Sequence, residues 1–369
     1  MKKKLTVGII FGGRSGEHEV SLVSATSIIS ALDKDKYDII SIGIAKDGTW
    51  FAGDEVMDAL KGGKRPPLER EAVILPLPSR KGLYFIKGGK TIPLDVVFPV
   101  LHGTFGEDGT IQGLFEMAGI AYVGAGVMGS SVGMDKIIQK DVARDASVVV
   151  TPSTWFLSRD YKNAPDKVME GIERIFQYPY FVKPANSGSS VGISKAHNRK
   201  ELKASIEDAI RYDRRILVEK SIEDGREIEI SVLGNDAPIA SCPGEVISSN
   251  EFYDYDAKYV DGKSKTLVPA DLPKKTADKI KEIAITVFKA LDLCGMARVD
   301  FLVTKDEIFF NEANTIPGFT SISMYPKLFE ASGISYSKLL DALIKLALER
   351  HEEKSRLLTT YRPKEEWYK

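Results

Sequence analysis

Four polar side chains stand on two apolar segments that a short turn can fold together. Arg298 and Asp300 lie in residues 298–304, and Glu312 and Asn314 lie in residues 308–314. A three-residue loop, Lys305-Asp306-Glu307, makes a hairpin that pairs Thr304 with Ile308. Counting back, Asp300 faces Glu312 and Arg298 faces Asn314, and directly opposed residues have Cβ atoms ~5 Å apart. Two carboxylates that close repel each other unless something positive lies between them. Carboxylates and an amide oxygen are hard ligands, suited to Mg²⁺ bridging phosphates. The same residues could instead be acids solvated on an exposed sheet face, and a slip of one residue would part them.

A second segment, Lys183-Pro184-Ala185-Asn186-Ser187-Gly188-Ser189-Ser190-Val191-Gly192, delivers a lysine from a strand into a loop of small residues. Small side chains let backbone N–H groups approach phosphate oxygens, and the lysine adds charge. An ordinary Gly/Ser turn reads the same way. Ile216-Leu217-Val218-Glu219-Lys220 is an apolar strand ending in an acid–base pair, whose backbone could read an adenine edge or simply end a strand. Two further polar loops follow apolar strands: residues 12–21, with Glu17, and residues 101–109, with His102. Open parallel sheets bind ligands at such strand ends. His102 could equally cap a helix or fill a core.

The elements that must position these residues can be read from periodicity. Residues 5–123 alternate strands (5–11, 37–45, 95–100, 121–123) with helices (about 19–32 and 110–118), which predicts a parallel sheet with helical crossovers. Residues 48–93, broken by Gly62-Gly63, Pro66-Pro67 and Gly88-Gly89, read as an elaboration on that unit. Residues 126–221 carry helices near 134–144, 166–175 and 200–212 and strands at 154–157, 180–183 and 216–219. The remainder holds an irregular loop (248–265), a helix (274–291), the hairpin, a helix (336–350) and a polar tail. The expectation is an α/β chain of three units: 1–125, 126–221 and 222–369.

Composition narrows the function class. Lys+Arg is 51 and Asp+Glu is 52 in 369 residues, so no net field recruits nucleic acid or an anionic membrane. The two cysteines, Cys242 and Cys294, rule out a disulfide scaffold or zinc ribbon. No apolar run approaches the ~20 residues of a membrane span, and the run after the first lysines is interrupted at Gly8 and ended by Gly12-Gly13-Arg14, unlike a secretion signal. A cytoplasmic protein is expected. Three motifs mislead. Gly124-Ala125-Gly126-Val127-Met128-Gly129 fits a dinucleotide pattern, but the next apolar run, 148–152, brings no acid, so a domain junction is expected there. Gly262-Lys263-Ser264 lacks the first Walker glycine, where Ala257 stands. His18-Glu19 lacks the second zinc-protease histidine, where Leu22 stands.

Taken in order, these segments resemble the D-alanine–D-alanine ligase family of the ATP-grasp superfamily. The matching stretches begin at Gly12, His102, Met134, Lys183, Phe252, Arg298 and Asn311. The resemblance implies an ATP-grasp architecture: a parallel-sheet unit, then two α+β lobes enclosing ATP. It implies a homodimer, and Mg²⁺ ions (two, with Mn²⁺ able to substitute). Glu17 would hold the amino group of the first D-alanine, tied through Ser189 to Tyr259, with His102 nearby. Lys136 and Lys183 would neutralise phosphates. Glu219 and Lys220 would meet adenine, with Ile222 beside them, and Glu227 the ribose. Asp300, Glu312 and Asn314 would hold the metals. Arg298 and the Gly318 N–H would stabilise a tetrahedral intermediate, and Ser323 would bind the second carboxylate. Lys258 and Tyr259 would lie on a closing lid. The alternatives are a D-alanyl ester ligase acting on D-lactate, an ATP-grasp ligase for other substrates, and a nucleotide sensor without turnover.

Overall fold

The structure is a computed structural model and describes residues 3–188, 190–247 and 265–361. Its first part is β1 (Leu5–Gly12), α1 (His18–Ala31), β2 (Tyr37–Ile44), β3 (Trp50–Ala52), α2 (Val56–Lys61), β4 (Ala72–Ile74), β5 (Gly82–Phe85), β6 (Thr91–Pro93), β7 (Val96–Val100), α3 (Thr110–Ala118) and β8 (Ala121–Tyr122). The main sheet runs β3-β2-β1-β7-β8, parallel except for β3. The largely apolar and buried β1 and the wholly apolar β7 fit strands covered on both faces. Because β1 and β7 are neighbours, the loops beginning at Gly13 and Leu101 leave the sheet side by side. The antiparallel ribbon β4-β5-β6 lies within the predicted elaboration, and its Ala72, Ile74 and Leu83 share a core with Ile10, Ile42 and Val97.

The middle of the chain forms α4 (Val127–Met134), α5 (Lys136–Asp145), β9 (Ser153–Leu157), α6 (Ser158–Asn163), α7 (Pro165–Ile175), β10 (Tyr180–Pro184), β11 (Ser194–Ala196), α8 (Arg199–Ala209) and β12 (Arg215–Lys220). Its sheet is antiparallel, in the order β11-β10-β12-β9. The helix expected near 134–144 is α5, and α4 precedes it. The two are separate because Asp135 is extended and its carboxylate caps α5 by accepting from the N–H groups of Ile137 and Ile138, both at 3.1 Å. The glycine pattern before them is a packed helix start in place of the expected loose junction. A Cβ on Gly129 would lie 2.3 Å from the Asp292 carbonyl oxygen, so this glycine permits close packing.

The last part comprises β13 (Arg226–Gly234), β14 (Ile239–Ala240), β15 (Gly244–Ile247), β16 (Lys265–Leu267), α9 (Lys274–Ala290), β17 (Gly295–Val303), β18 (Ile308–Asn314), α10 (Met324–Ala331) and α11 (Tyr336–Ser355). The sheet runs β16-β15-β13-β17-β18, all antiparallel, with β14 on β13. α9 covers one face of it with Ile280, Ala284, Val287 and Phe288. α11 instead returns to the first sheet, burying Leu339, Leu340, Leu343 and Ile344 in one core with Val7, Ile9 and Phe98. No helix among the described residues is long and apolar enough to cross a membrane.

The hairpin of β17 and β18 departs from the expected turn. Val303, not Thr304, pairs with Ile308, so four residues form the turn. The register then shifts between Phe301 and Asp300: Phe301 faces Phe310, while Asp300 faces Glu312 and Arg298 faces Asn314. Asn311 is the extra residue, a β-bulge. The bulge restores the pairing of the two acids that the shifted turn would have removed.

Candidate active site

α5 organises one side of the site. Lys136, Gln139 and Lys140 lie at positions i, i+3 and i+4, and therefore on one helical face. Gln139 Oε1 accepts from the N–H of Ala313 at 2.7 Å, and Lys140 Nζ donates to the carbonyl of Asn311 at 2.7 Å. These bonds hold the residues on either side of Glu312. Lys136 Nζ lies 3.4 Å from Glu312 Oε2 and donates to the Ser187 carbonyl at 2.8 Å. Asp135 fastens the start of this helix to the Lys183 loop. It accepts from Asn186 Nδ2 at 2.9 Å and pairs with Arg215.

A cavity opens beside β12 and β13. Its walls include Lys183, Glu219, Lys220, Ile222, Glu227 and Glu312, so it gathers most of the described residues expected at a nucleotide, whereas Lys136 lines the neighbouring cavity. Glu219 is only 2% exposed, and its carboxylate is shared between Lys140, at 2.8 Å, and Lys183. Burial opposes its ionisation, but the two lysines outweigh burial and hold the carboxyl at about 2. Burial also works against the charge on Lys183. Glu219 and then Glu312 overcome it and raise the pKa above the ordinary lysine value. The Glu219 carboxylate is thus committed to protein cations.

A second cavity shares Glu312, Ser190 and Ile193 with the first. Glu17, His102, Lys136, Arg298, Asn314, Gly318 and Ser323 line it. Three loops converge on the buried Glu17. A Cβ on Gly188 would lie 2.3 Å from Glu17 Oε2, and a Cβ on Gly103 would lie 2.6 Å from it. Only glycine lets both backbones come so near that carboxylate. His102 is buried with Nδ1 3.0 Å from the Ile316 carbonyl and Nε2 3.4 Å from Ser24 Oγ. Burial lowers its pKa, which favours the neutral ring. Ser323 Oγ lies 2.8 Å from Thr320 Oγ1 and accepts from the Thr320 N–H at 3.0 Å.

Arg298 is gripped by carboxylates. Nε and Nη2 donate to the two oxygens of Asp300 at 2.8 and 2.7 Å, and Glu229 Oε2 is 3.2 Å from Nε. Burial opposes the guanidinium charge, but Asp300 and then Glu229 hold its pKa well above the usual value. Asn314 Nδ2 donates to Asp300 at 2.9 Å, which leaves its amide oxygen as the atom suited to a cation. No group of three or more His, Cys, Asp or Glu able to hold a metal occurs among the described residues. Two opposed carboxylates and an amide oxygen nevertheless fit Mg²⁺, a hard cation that completes its shell with water and phosphate oxygens.

Ser189, Lys258 and Tyr259 lie outside the described residues. Every other expected site residue lines one of the two cavities, except Asp300, which sits immediately behind them on Arg298 and Asn314. Sequence reading gave no role to Gln139, Lys140, Glu107 or Glu229. Helical spacing from Lys136 points to the first two. Glu107 stands inside the loop motif that begins at His102. Glu229 faces Asp300 across β13 and β17.

The family described as D-ala D-ala ligase N-terminus matches residues 6–125, and that described as D-ala D-ala ligase C-terminus matches residues 142–345. The D-alanine–D-alanine ligase of Natranaerobius thermophilus is 49% identical over 97% of this chain and 99% of its own length. That of Heliobacterium modesticaldum is 50% identical over 98% and 99%. Among solved structures, the D-alanine–D-alanine ligase of Coxiella burnetii superposes with a TM-score of 0.82 at 38% identity, covering 95% of this chain and 97% of that one. A D-Ala:D-Ser ligase of Enterococcus faecalis gives 0.83 at 39% identity over 94% and 100%. With its mainly parallel first sheet, the antiparallel sheets of its middle and last parts and the ordered loops that meet at Glu17 and Glu312, this chain belongs to the D-alanine–D-alanine ligase family and has its ATP-grasp fold.

Proposed function

We propose that this chain joins two D-alanines: ATP + 2 D-alanine give D-alanyl-D-alanine, ADP and phosphate. The observation that carries this reading is the shared wall at Glu312. One adjoining cavity has Lys183 and Glu227, residues suited to a nucleotide; the other has Glu17, Arg298 and Ser323, residues suited to two amino acids. A γ-phosphate and a substrate carboxylate can therefore meet beside one acid.

A carboxylate is a poor electrophile because it is already an anion. Transfer of the γ-phosphoryl group to it makes an acyl phosphate, and the approach of two anions needs fixed cations nearby. Lys136 and Lys183 fill that role. Glu17 holds the ammonium of the first D-alanine. The amine of the second attacks the acyl carbon, and Arg298 with the Gly318 N–H stabilises the oxyanion before phosphate leaves. Asp300, Glu312 and Asn314 would hold Mg²⁺, which supplies further neutralisation of the phosphates. Ser189, Lys258 and Tyr259 are assigned by resemblance alone, as the link to Glu17 and the lid over the acyl phosphate. A homodimer in the cytoplasm, making a precursor of peptidoglycan, completes this reading.

The test is phosphate release with product analysis. Release should require ATP, Mg²⁺ and D-alanine together, with one D-alanyl-D-alanine per phosphate and no turnover of L-alanine. Glu312→Gln should keep the fold and lose more than about 100-fold in kcat. Equal turnover of L-alanine, or a near-normal Glu312→Gln enzyme at limiting Mg²⁺, would remove the assignment. The similarity to a D-Ala:D-Ser ligase makes the acceptor worth measuring directly. In competition among D-alanine, D-serine and D-lactate, D-alanine should dominate the product.

A further inference from the structure

Lys140 is a buried ammonium that faces no ligand. Its side chain is 2% exposed, on the helix that begins with Lys136. Its Nζ has three partners: Glu219 Oε1 at 2.8 Å, Thr151 Oγ1 at 2.5 Å and the Asn311 carbonyl at 2.7 Å. Thr151 directs its own hydroxyl to Glu219 Oε1 at 3.4 Å, so toward Lys140 it is an acceptor. Three acceptors around one nitrogen use three N–H groups, which only the charged form possesses. Burial pulls Lys140 toward neutrality, but the geometry is that of an ammonium with every donor spent. Lys140 therefore has nothing left to offer a phosphate.

Its charge matters through Glu219. That carboxylate gives one oxygen to Lys140 and the other to Lys183. Lys140, Glu219 and Lys183 together carry a net charge of one positive. Lys183 and Glu219 line the nucleotide cavity and Lys140 lies behind them, and Lys183 Nζ also reaches Asn311 Oδ1 at 3.5 Å. Without Lys140, Glu219 would cancel Lys183 and the cluster would present no net charge to a phosphate. The bond from Lys140 to Asn311 also fixes the bulge that aims Glu312.

We propose that Lys140 is a positioning residue for the nucleotide: it neutralises Glu219 so that the charge of Lys183 is available to phosphate, while it pins the bulge beside Glu312. This rests on the ligase reading above, in which ATP occupies the Lys183 cavity.

The experiment is titration of the full chain with ATP by calorimetry, alongside steady-state kinetics, for wild type, Lys140→Met and Lys140→Met/Glu219→Gln. Lys140→Met should weaken ATP binding at least about tenfold and raise KM for ATP in step, with KM for D-alanine changed less than about threefold. Adding Glu219→Gln restores the net charge of the cluster and should recover at least about half of that loss on a logarithmic scale. A mere packing role would hit both substrates and gain nothing from the second change. Unchanged ATP affinity in Lys140→Met, or no recovery in the double variant, overturns the inference and leaves the ligase reading standing. Failure of the wild-type chain to bind ATP overturns both. Should Lys140→Met not fold, the double variant decides: folded and within about tenfold of wild type for ATP it supports the inference, and unfolded or weaker than that it overturns it.

Discussion

Glu107 is a buried acid whose surroundings disturb its charge. It is buried behind Glu17, and accepts from the N–H groups of Gly103 at 2.8 Å and Ile316 at 2.9 Å. Burial, and then the charge of Glu17, push its carboxyl up to about 7, against the pull of those two donors. Its ordinary value is 4.5, so between these limits the folded chain binds a proton that the unfolded chain has released. The proton favours the folded state there, and stability is lost as pH rises through the window. Glu107→Gln does not titrate. The unfolding free energy of wild type minus that of Glu107→Gln should therefore fall by about 3 kcal/mol between pH 4.5 and pH 7.5. Urea unfolding of both proteins at the two pH values measures it, and a constant difference would refute it. The contrast with Asp300 and Glu312 shows what a sequence can disclose at this scale. Their pairing follows from counting along one hairpin, although the structure reaches it through a bulge that counting did not foresee. Helical spacing from Lys136 points to Lys140, but not to its role, because its partners Thr151 and Asn311 lie 11 and 171 positions away and only the fold unites them.

Elements carry the next layer of control, and the break before α5 is its clearest case. Asp135 caps α5, pairs with Arg215 and holds Asn186, so one carboxylate ties the start of the Lys136 helix to the end of the Lys183 strand. Asp135→Ala removes the cap, ordinarily worth about 1 kcal/mol, and strips a half-buried arginine of its partner. A loss of about 2–4 kcal/mol in unfolding free energy is expected, with weaker ATP binding. Asp135→Asn can still cap and should retain a good part of the stability. A loss below about 0.5 kcal/mol by urea unfolding would show that the cap is incidental. The sequence carried this element only in part. Apolar periodicity marks the helix near 134–144, but the extended Asp135 that parts it from Val127–Met134 depends on a capping geometry that periodicity does not register. The same holds for the turn of the final hairpin, where alternation alone cannot tell a three-residue loop followed by regular pairing from a four-residue turn followed by a bulge. Strands and helices with strong periods, such as Thr110–Ala118 and Lys274–Ala290, were plain.

At the scale of the whole molecule, the chain's last helix covers its first sheet. Leu339, Leu340, Leu343 and Ile344 of α11 pack with Val7, Ile9 and Phe98, and Tyr37 donates to Asp341 at 2.9 Å. Sequence showed the apolar face of this helix but not its target, which is more than 200 positions away. Leu343→Ala should cost about 2–5 kcal/mol in urea unfolding, as a buried leucine deletion does, and disturb the first sheet, not merely the C-terminal helix. A loss confined to fraying of α11, with the global transition unmoved, would deny that coupling. The same long-range assembly brings the Glu17 loop of the first sheet to Arg298 and Glu312 of the last, so that the two cavities share a wall. The central claim is that a phosphoryl group crosses that wall to a substrate carboxylate. D-alanine labelled with ¹⁸O in both carboxylate oxygens tests it most directly. If an acyl phosphate forms and the amine then displaces phosphate, one ¹⁸O leaves on each phosphate released and one stays in the new peptide carbonyl. Unlabelled phosphate released in step with dipeptide would contradict the account.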